Sequence, residues 1–248
     1  MSSKNNEIAV TVKDLHVYYR DMKRFSIKRN GFKDKGSGKI FKAVKGVSFE
    51  IPKGQILGIC GKNGSGKSTL LRAISGIFSP DKGSINLHHN TISLLSIGVG
   101  FQKQLTGYEN IFLSGMLLGY TKEEIAEKAD AIIEFSELGD FIYKPVRSYS
   151  SGMYSKLAFS ITAILETDIM LIDEVLSVGD IHFKEKSYNK MKELISNDER
   201  TVVIVSHSTK TLVELCDKVI WLHDGLIKDE GDPATIMEKY EEFMREEQ

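Results

Sequence analysis

Apolar and polar positions along the chain change period several times, and each change marks an element. The segment IAVTVKDLHVYY, residues 8–19, alternates and predicts an early strand. VSFEI, residues 47–51, predicts a second strand, after which PKG turns the chain. QILGIC, residues 55–60, is almost continuously apolar, the pattern of a strand covered on both faces of a sheet. It runs directly into GKNGSGKST, after which TLLRAISGI predicts a helix. DIMLI and TVVIV are short apolar runs of the same buried type, and SGMYSKLAFSITAIL and HFKEKSYNKMKELISN predict helices. Strands alternating with helices in this way predict an α/β domain with a largely parallel sheet. Residues 105–165 depart from that alternation. There ENIFLSGMLLG, KEEIAEKADAIIEFSEL and the helix after YSSGM follow one another without a clear strand, so a helical insertion is expected. The segment 233–248 predicts a Glu-rich amphipathic C-terminal helix. No internal repeat is visible, and one domain over residues 1–248 is expected.

Charge changes this picture in one place. Overall, 33 Lys and Arg balance 34 Asp and Glu, a net charge of −1. That argues against a general nucleic-acid binder, which would carry a basic surface. Residues 20–45, however, hold ten Lys and Arg against two Asp, with NGF and KGSGK as turn signals. This basic insertion, taken as residues 20–42, is either a solvated loop or a patch facing anionic lipid headgroups or a membrane partner. Cys60 and Cys216 are far apart and in no metal-ligand spacing, which predicts buried thiols in a reducing compartment. The longest uncharged stretch, 84–102, is interrupted by Asn, His, Ser and Gly, so no spanning helix is expected. The N-terminal MSSKNNEIAV lacks the apolar core of a signal peptide. A cytosolic location is expected, with any membrane role exercised through a partner.

The candidate chemistry centres on GKNGSGKS, residues 61–68, which fits G-x-x-x-x-G-K-[ST] at every position. Gly61, Gly64 and Gly66 let the backbone curl so that successive N–H groups face phosphate oxygens. The helix that follows adds its positive end. Lys67 supplies a compact charge for the β- and γ-phosphates, and the Ser68 hydroxyl is placed for Mg²⁺. Lys62, Asn63, Ser65 and Thr69 complete the expected nucleotide contacts. IMLIDE provides a second Mg²⁺ anchor in Asp173 at the end of an apolar strand. Glu174 beside it is suited to orient or deprotonate an attacking water. TVVIVSHS places His207 at the end of a third strand, one strand–helix unit later, where it would contact the γ-phosphate.

Taken in order, these motifs resemble the nucleotide-binding domain of ATP-binding-cassette (ABC) transporters over nearly the whole chain. The resemblance implies a P-loop NTPase fold of ABC type: a mixed RecA-like sheet core with an antiparallel β subdomain and a helical signature subdomain. Gln102 in GVGFQ stands where the family's Q-loop touches Mg²⁺ and the membrane partner. YSSGM, with Ser150, Ser151 and Gly152, stands where the family has its LSGGQ signature, and SVGD, ending in Asp180, resembles the D-loop. His207 resembles the switch histidine. The family stacks adenine on an aromatic side chain of the first strand region, for which Tyr19 is the first choice and Tyr18 and Phe41 are rivals. Ser151 and Met153 depart from the usual signature residues Gly and Gln.

The resemblance further implies ATP and Mg²⁺ as cofactors and ATP hydrolysis coupled to transport. It implies a head-to-tail homodimer in which each ATP lies between one P-loop and the other subunit's signature helix. It also implies a multi-span ABC-2 type permease and a position on the cytoplasmic face of the cell membrane. The signature, the short segment between Gln102 and the LTGYEN element, and the basic insertion look like the ATPases of polysaccharide exporters. Within that group the chain looks closest to those moving lipid-linked wall teichoic acid. Exporters of O-antigen, capsule or rhamnan are the alternative cargo class. A drug, lipid or peptide exporter and a soluble non-transport ABC ATPase fit the sequence less well. A single helix after the last sheet motif leaves substrate recognition to the membrane partner.

Overall fold

The structure, a computed structural model, describes residues 7–20, 40–95, 100–173, 180–195 and 200–246. Glu174 and the basic residues Lys23, Arg24, Lys28 and Arg29 lie outside the described residues.

Strand β1 (Ile8–Arg20) forms the middle of a three-stranded antiparallel sheet. It pairs with β2 (Ile40–Pro52) on one side and with the short strand Lys82–Asn86 on the other. The alternation of β1 turns Val10, Val12, Leu15 and Val17 inward, where all are buried. Register shifts accompany Asp14, whose φ of 44° marks a bulge. β2 starts seven residues before the VSFEI run. IFKAVK lacks clean alternation, yet its backbone pairs with the His16–Arg20 end of β1. Residues 40–42 of the basic insertion are therefore strand.

The second sheet has six strands. In chain order these are β3 (Ile56–Cys60), then, after Lys82–Asn86 as β4, β5 (Ile92–Leu95), β6 (Ile169–Ile172), β7 (Thr201–Val205), β8 (Lys218–His223) and β9 (Leu226–Gly231). Their spatial order is β5-β6-β7-β3-β8-β9, parallel except for the β8–β9 hairpin. Both β6 and β7 are buried at every residue, as expected of strands covered on two faces. The order makes β7 the neighbour of both β6 and β3. The C-terminal ends of three strands therefore lie side by side, and ligands in open α/β sheets bind at that edge.

Helix α1 (Lys67–Ile74) packs Leu70, Leu71 and Ile74 into a core shared by the antiparallel sheet and one face of the large sheet. It stops at Ser75, before the end of the TLLRAISGI pattern, because Gly76 adopts φ 77°. Helices α2 (Gly107–Leu117) and α3 (Lys122–Ser136) both start with a capping box, Thr106/Glu109 and Thr121/Glu124. Backbone N–H groups of the two threonines hold both glutamates below the usual carboxylate range. Helix α4 (Ser151–Ile164) is buried from Leu157 to Ala163 and joins two cores. Leu157 and Ile161 pack with α2 and α3, while Phe159 packs with Phe183 of α5 (Ile181–Ile195). α6 (Thr209–Leu215) and α7 (Pro233–Glu246) close the other face of the large sheet. Cys60 and Cys216 are both buried there, and burial pushes each thiol up to about 12. Among the described residues no helix is long and apolar enough to cross a membrane.

Candidate functional site

β3 ends at Cys60 and the chain turns at once into the glycine-rich loop. Gly61, Gly64 and Gly66 have φ of 145°, 81° and 106°. A Cβ at Gly61 would collide with the Leu222 carbonyl, and one at Gly66 with the Ala43 carbonyl. Both positions therefore need glycine for space as well as for φ. Gly66 caps α1 without a side-chain bond, which leaves the helix N–H groups directed into the loop. The Ser65 hydroxyl is buried and has no hydrogen-bond partner among the described residues. Lys67 is only 6 % exposed, and its ammonium donates to the carbonyls of Gly61 (2.7 Å) and Lys62 (2.9 Å). A hydroxyl, the N–H groups of the helix start and an ammonium in one small concavity form a cradle suited to phosphate oxygens.

A pocket of about 190 Å³ opens on this loop and is walled by Asn63, Gly64 and the segment Gly66–Thr69. His207 closes one side, and Phe41 and Ala43 the other. Asp173 follows β6 directly, and its Oδ1 stands 3.5 Å from the Ser68 hydroxyl. A hydroxyl and a carboxylate converging at the pocket rim are hard-oxygen donors of the kind Mg²⁺ prefers. The β6–β7 pairing, with Ile172 opposite Ile204, brings His207 to the same rim. Three segments scattered over the sequence thus meet at one sheet edge.

The remaining candidates sit around this pocket. Phe41 lines it, while Tyr19 lies one strand away and bonds its hydroxyl to Thr69 Oγ1 at 3.0 Å. The two rings are cross-strand partners with centroids 6.5 Å apart. Tyr18 points to the opposite face, against His16 and Lys42. Gln102 is exposed and is absent from the pocket wall. Its loop is held by Asn110, which the sequence reading passes over. The fully buried Asn110 amide accepts from Gln102 N–H (2.7 Å) and donates to the carbonyls of Gln102, Leu105 and Thr106. Asn110→Leu would strand all these groups, so it should cost about 3 kcal/mol in denaturant unfolding. A loss under about 1 kcal/mol would show that the loop does not depend on it.

Ser150 caps α4 by accepting from Met153 N–H at 3.2 Å, and with Ser151 it is exposed. No residue of α4 lines the pocket of its own chain. Asp180 is exposed but engaged within its own chain. One of its oxygens caps α5 through Phe183 N–H (3.0 Å), and the other pairs with Lys156 of α4 at 2.8 Å. Lys156 and the helix cap hold the Asp180 carboxyl down to about 2. The D-loop candidate and the signature helix are therefore joined within one chain, through a lysine that the sequence reading does not single out.

The profile of the ABC transporter family matches residues 44–177. The O-antigen export system ATP-binding protein RfbB of Myxococcus xanthus is 44% identical over 200 residues, covering 81% of this chain and 46% of that protein. The teichoic acids export ATP-binding protein TagH of Bacillus anthracis is 44% identical over 208 residues, covering 84% of this chain and 38% of that protein. This chain thus spans less than half the length of these two relatives. RfbB of Klebsiella pneumoniae is 41% identical over 207 residues and is covered to 84%, as is this chain. A dimeric ATP-binding cassette solved in a post-hydrolysis state with ADP and Pi shares the fold at a TM-score of 0.69 and 23% identity, with 90% of this chain and 98% of that one covered. The family profile over residues 44–177, the phosphate loop, the sheet order and 41% identity to a relative covered to 84% lead to one conclusion: the chain belongs to the ABC transporter family.

Proposed function

We propose that this chain is the ATP-binding and ATP-hydrolysing subunit of a two-component exporter of cell-surface polysaccharide, with lipid-linked wall teichoic acid as its cargo. The carrying observation is the sheet edge at which the Gly61–Ser68 loop, Asp173 and His207 converge. The names of the relatives support an export role; since they include both O-antigen and teichoic acid systems at 44% identity, the other surface polysaccharides remain the alternative cargo.

In this proposal the loop N–H groups, Ser65 and Lys67 bind the phosphates of ATP. Mg²⁺, when bound, neutralises charge on the β- and γ-phosphates, and Ser68, Asp173 and Gln102 would hold it. Glu174 takes or orients the proton of the attacking water, and His207 keeps water and γ-phosphate in register. Ser150, Ser151 and Gly152 at the start of α4 close on the γ-phosphate held by a second copy, arranged head to tail. Tyr19 or its cross-strand partner Phe41 supports the adenine. An ABC-2 type permease receives the helical subdomain at the cytoplasmic face of the cell membrane. The basic residues Lys23, Arg24, Lys28 and Arg29 would face anionic lipid there.

Depleting the chain in a teichoic-acid-bearing cell should leave lipid-linked polymer on the cytoplasmic side, and re-supplying it with its permease should restore surface polymer. Unchanged surface polymer on depletion would refute the cargo, and the absence of Mg²⁺-dependent phosphate release from chain and permease together would refute the engine.

A further inference from the structure

The C-terminal helix reaches the nucleotide site from behind. Phe243 of α7 lies 5.3 Å from Lys62 Nζ and 3.2 Å from Lys228 Nζ, measured to the ring centroid. Its ring also packs edge-on against Trp221 and His223, both at 5.2 Å. Lys62 is the second residue of the phosphate loop, and its carbonyl is one of the two that hold the Lys67 ammonium. Trp221 is the β8 partner of Cys60, the residue that leads into Gly61. Phe243 therefore touches the phosphate loop through Lys62 and packs on the strand that flanks its base.

Two residues earlier, on a different flank of the same helix, Glu241 Oε1 accepts from the Thr209 hydroxyl at 2.7 Å. Thr209 begins α6 two residues after His207, and Ser208 between them caps that helix by accepting from Thr211 N–H. α7 itself is fixed independently of both contacts. Ile236, Met237 and Tyr240 are buried against the sheet, and Lys239 pairs with Asp229 of β9 at 2.6 Å. A helix anchored this firmly supplies a fixed reference for the two loops it touches.

We propose that α7 is a brace for the nucleotide site, in which Phe243 positions the phosphate loop through Lys62 and Glu241 positions the His207 loop through Thr209. Neither residue touches nucleotide; both are positioning residues. The proposal rests on the ATPase reading for its kinetic consequences only. The two contacts act on different steps, so their loss has different signatures. A loosened phosphate loop weakens nucleotide binding in ground and transition state alike, whereas a loosened His207 loop affects the transition state alone.

Phe243→Leu keeps an apolar side chain and removes the ring, while Phe243→Tyr keeps the ring. Glu241→Leu removes the acceptor, while Glu241→Gln keeps one. Phe243→Leu should raise KM for ATP about fivefold at unchanged kcat, and Glu241→Leu should lower kcat about fivefold at unchanged KM, with Tyr and Gln restoring each. In the nucleotide-free full chain, amide hydrogen exchange should quicken at residues 61–66 in Phe243→Leu and at 206–209 in Glu241→Leu. Exchange at both loops unchanged in folded variants would overturn the brace, as would equal losses in KM and kcat for both. Exchange that follows this pattern in a protein that hydrolyses no ATP would refute the ATPase reading and leave the brace standing.

Discussion

Lys67→Ala should lower ATP affinity about a hundredfold or more, equivalent to about 2.8 kcal/mol. The magnitude follows from what the ammonium does. It is buried, and it bonds two loop carbonyls, Gly61 and Lys62, at 2.7 and 2.9 Å. A hydrogen bond from a charged group contributes about 1.5–3 kcal/mol, and the variant loses both the loop ties and the charge offered to phosphate. The loop should also lose definition, because a carbonyl left without its donor inside a tight turn favours other backbone conformations. Lys67→Arg should not rescue binding. A planar guanidinium spreads its donors over a fork and does not reproduce the point contacts that the ammonium makes with the Gly61 and Lys62 carbonyls. Equilibrium binding of a fluorescent ATP analogue would check both variants, and affinity within about threefold of wild type would contradict this account of the loop.

Glu174→Gln should lower ATP turnover about 10²- to 10⁴-fold while leaving ATP affinity near that of the parent chain. The amide cannot accept a proton from water, yet it is nearly isosteric with the carboxylate and leaves the phosphate cradle intact. Asp173→Asn should behave differently. Asp173 stands 3.5 Å from Ser68, the pair proposed to hold Mg²⁺, so its loss should weaken the Mg²⁺ dependence of binding as well as turnover. Rapid-quench phosphate release, with binding measured in parallel, separates the two roles. Turnover in Glu174→Gln within about tenfold of wild type would remove Glu174 from the role of base.

Local spacing carried the phosphate loop into view, because a strand, a glycine-rich turn and a helix lie within twenty residues of one another. The rim was legible for a topological reason. A strand–helix–strand alternation predicts adjacent parallel strands, and the β6–β7 pairing delivers Asp173 and His207 to one edge. Contacts made across large sequence separations were not legible. Asn110 reads as one polar position in an apolar helix, and only the return of residues 102–106 over it reveals its four bonds. Lys156 and Asp180 meet because Phe159 and Phe183 pack α4 against α5, which no periodicity announces.

The two sheets were also incompletely legible. KGSIN is short and mostly exposed, so β4 has no apolar pattern to show. The β8–β9 hairpin did carry a signal, the Asp224–Gly225 pair between two runs, with φ of 48° and 79°. Tyr19 and Phe41 illustrate a different ambiguity. They are cross-strand partners of which only Phe41 lines the pocket, and a strand pattern does not tell which of the two does.

The account's central claim is that ATP is held between the phosphate loop of one chain and the Ser150 end of α4 in another. Sedimentation velocity of Glu174→Gln tests it most directly, with and without ATP and Mg²⁺, alone and combined with Ser150→Arg. The account predicts a monomer without nucleotide, a dimer with ATP, and no dimer with ATP once Ser150 is Arg. A Glu174→Gln chain that stays monomeric with saturating ATP, or one that dimerises equally well with Arg at position 150, would contradict it.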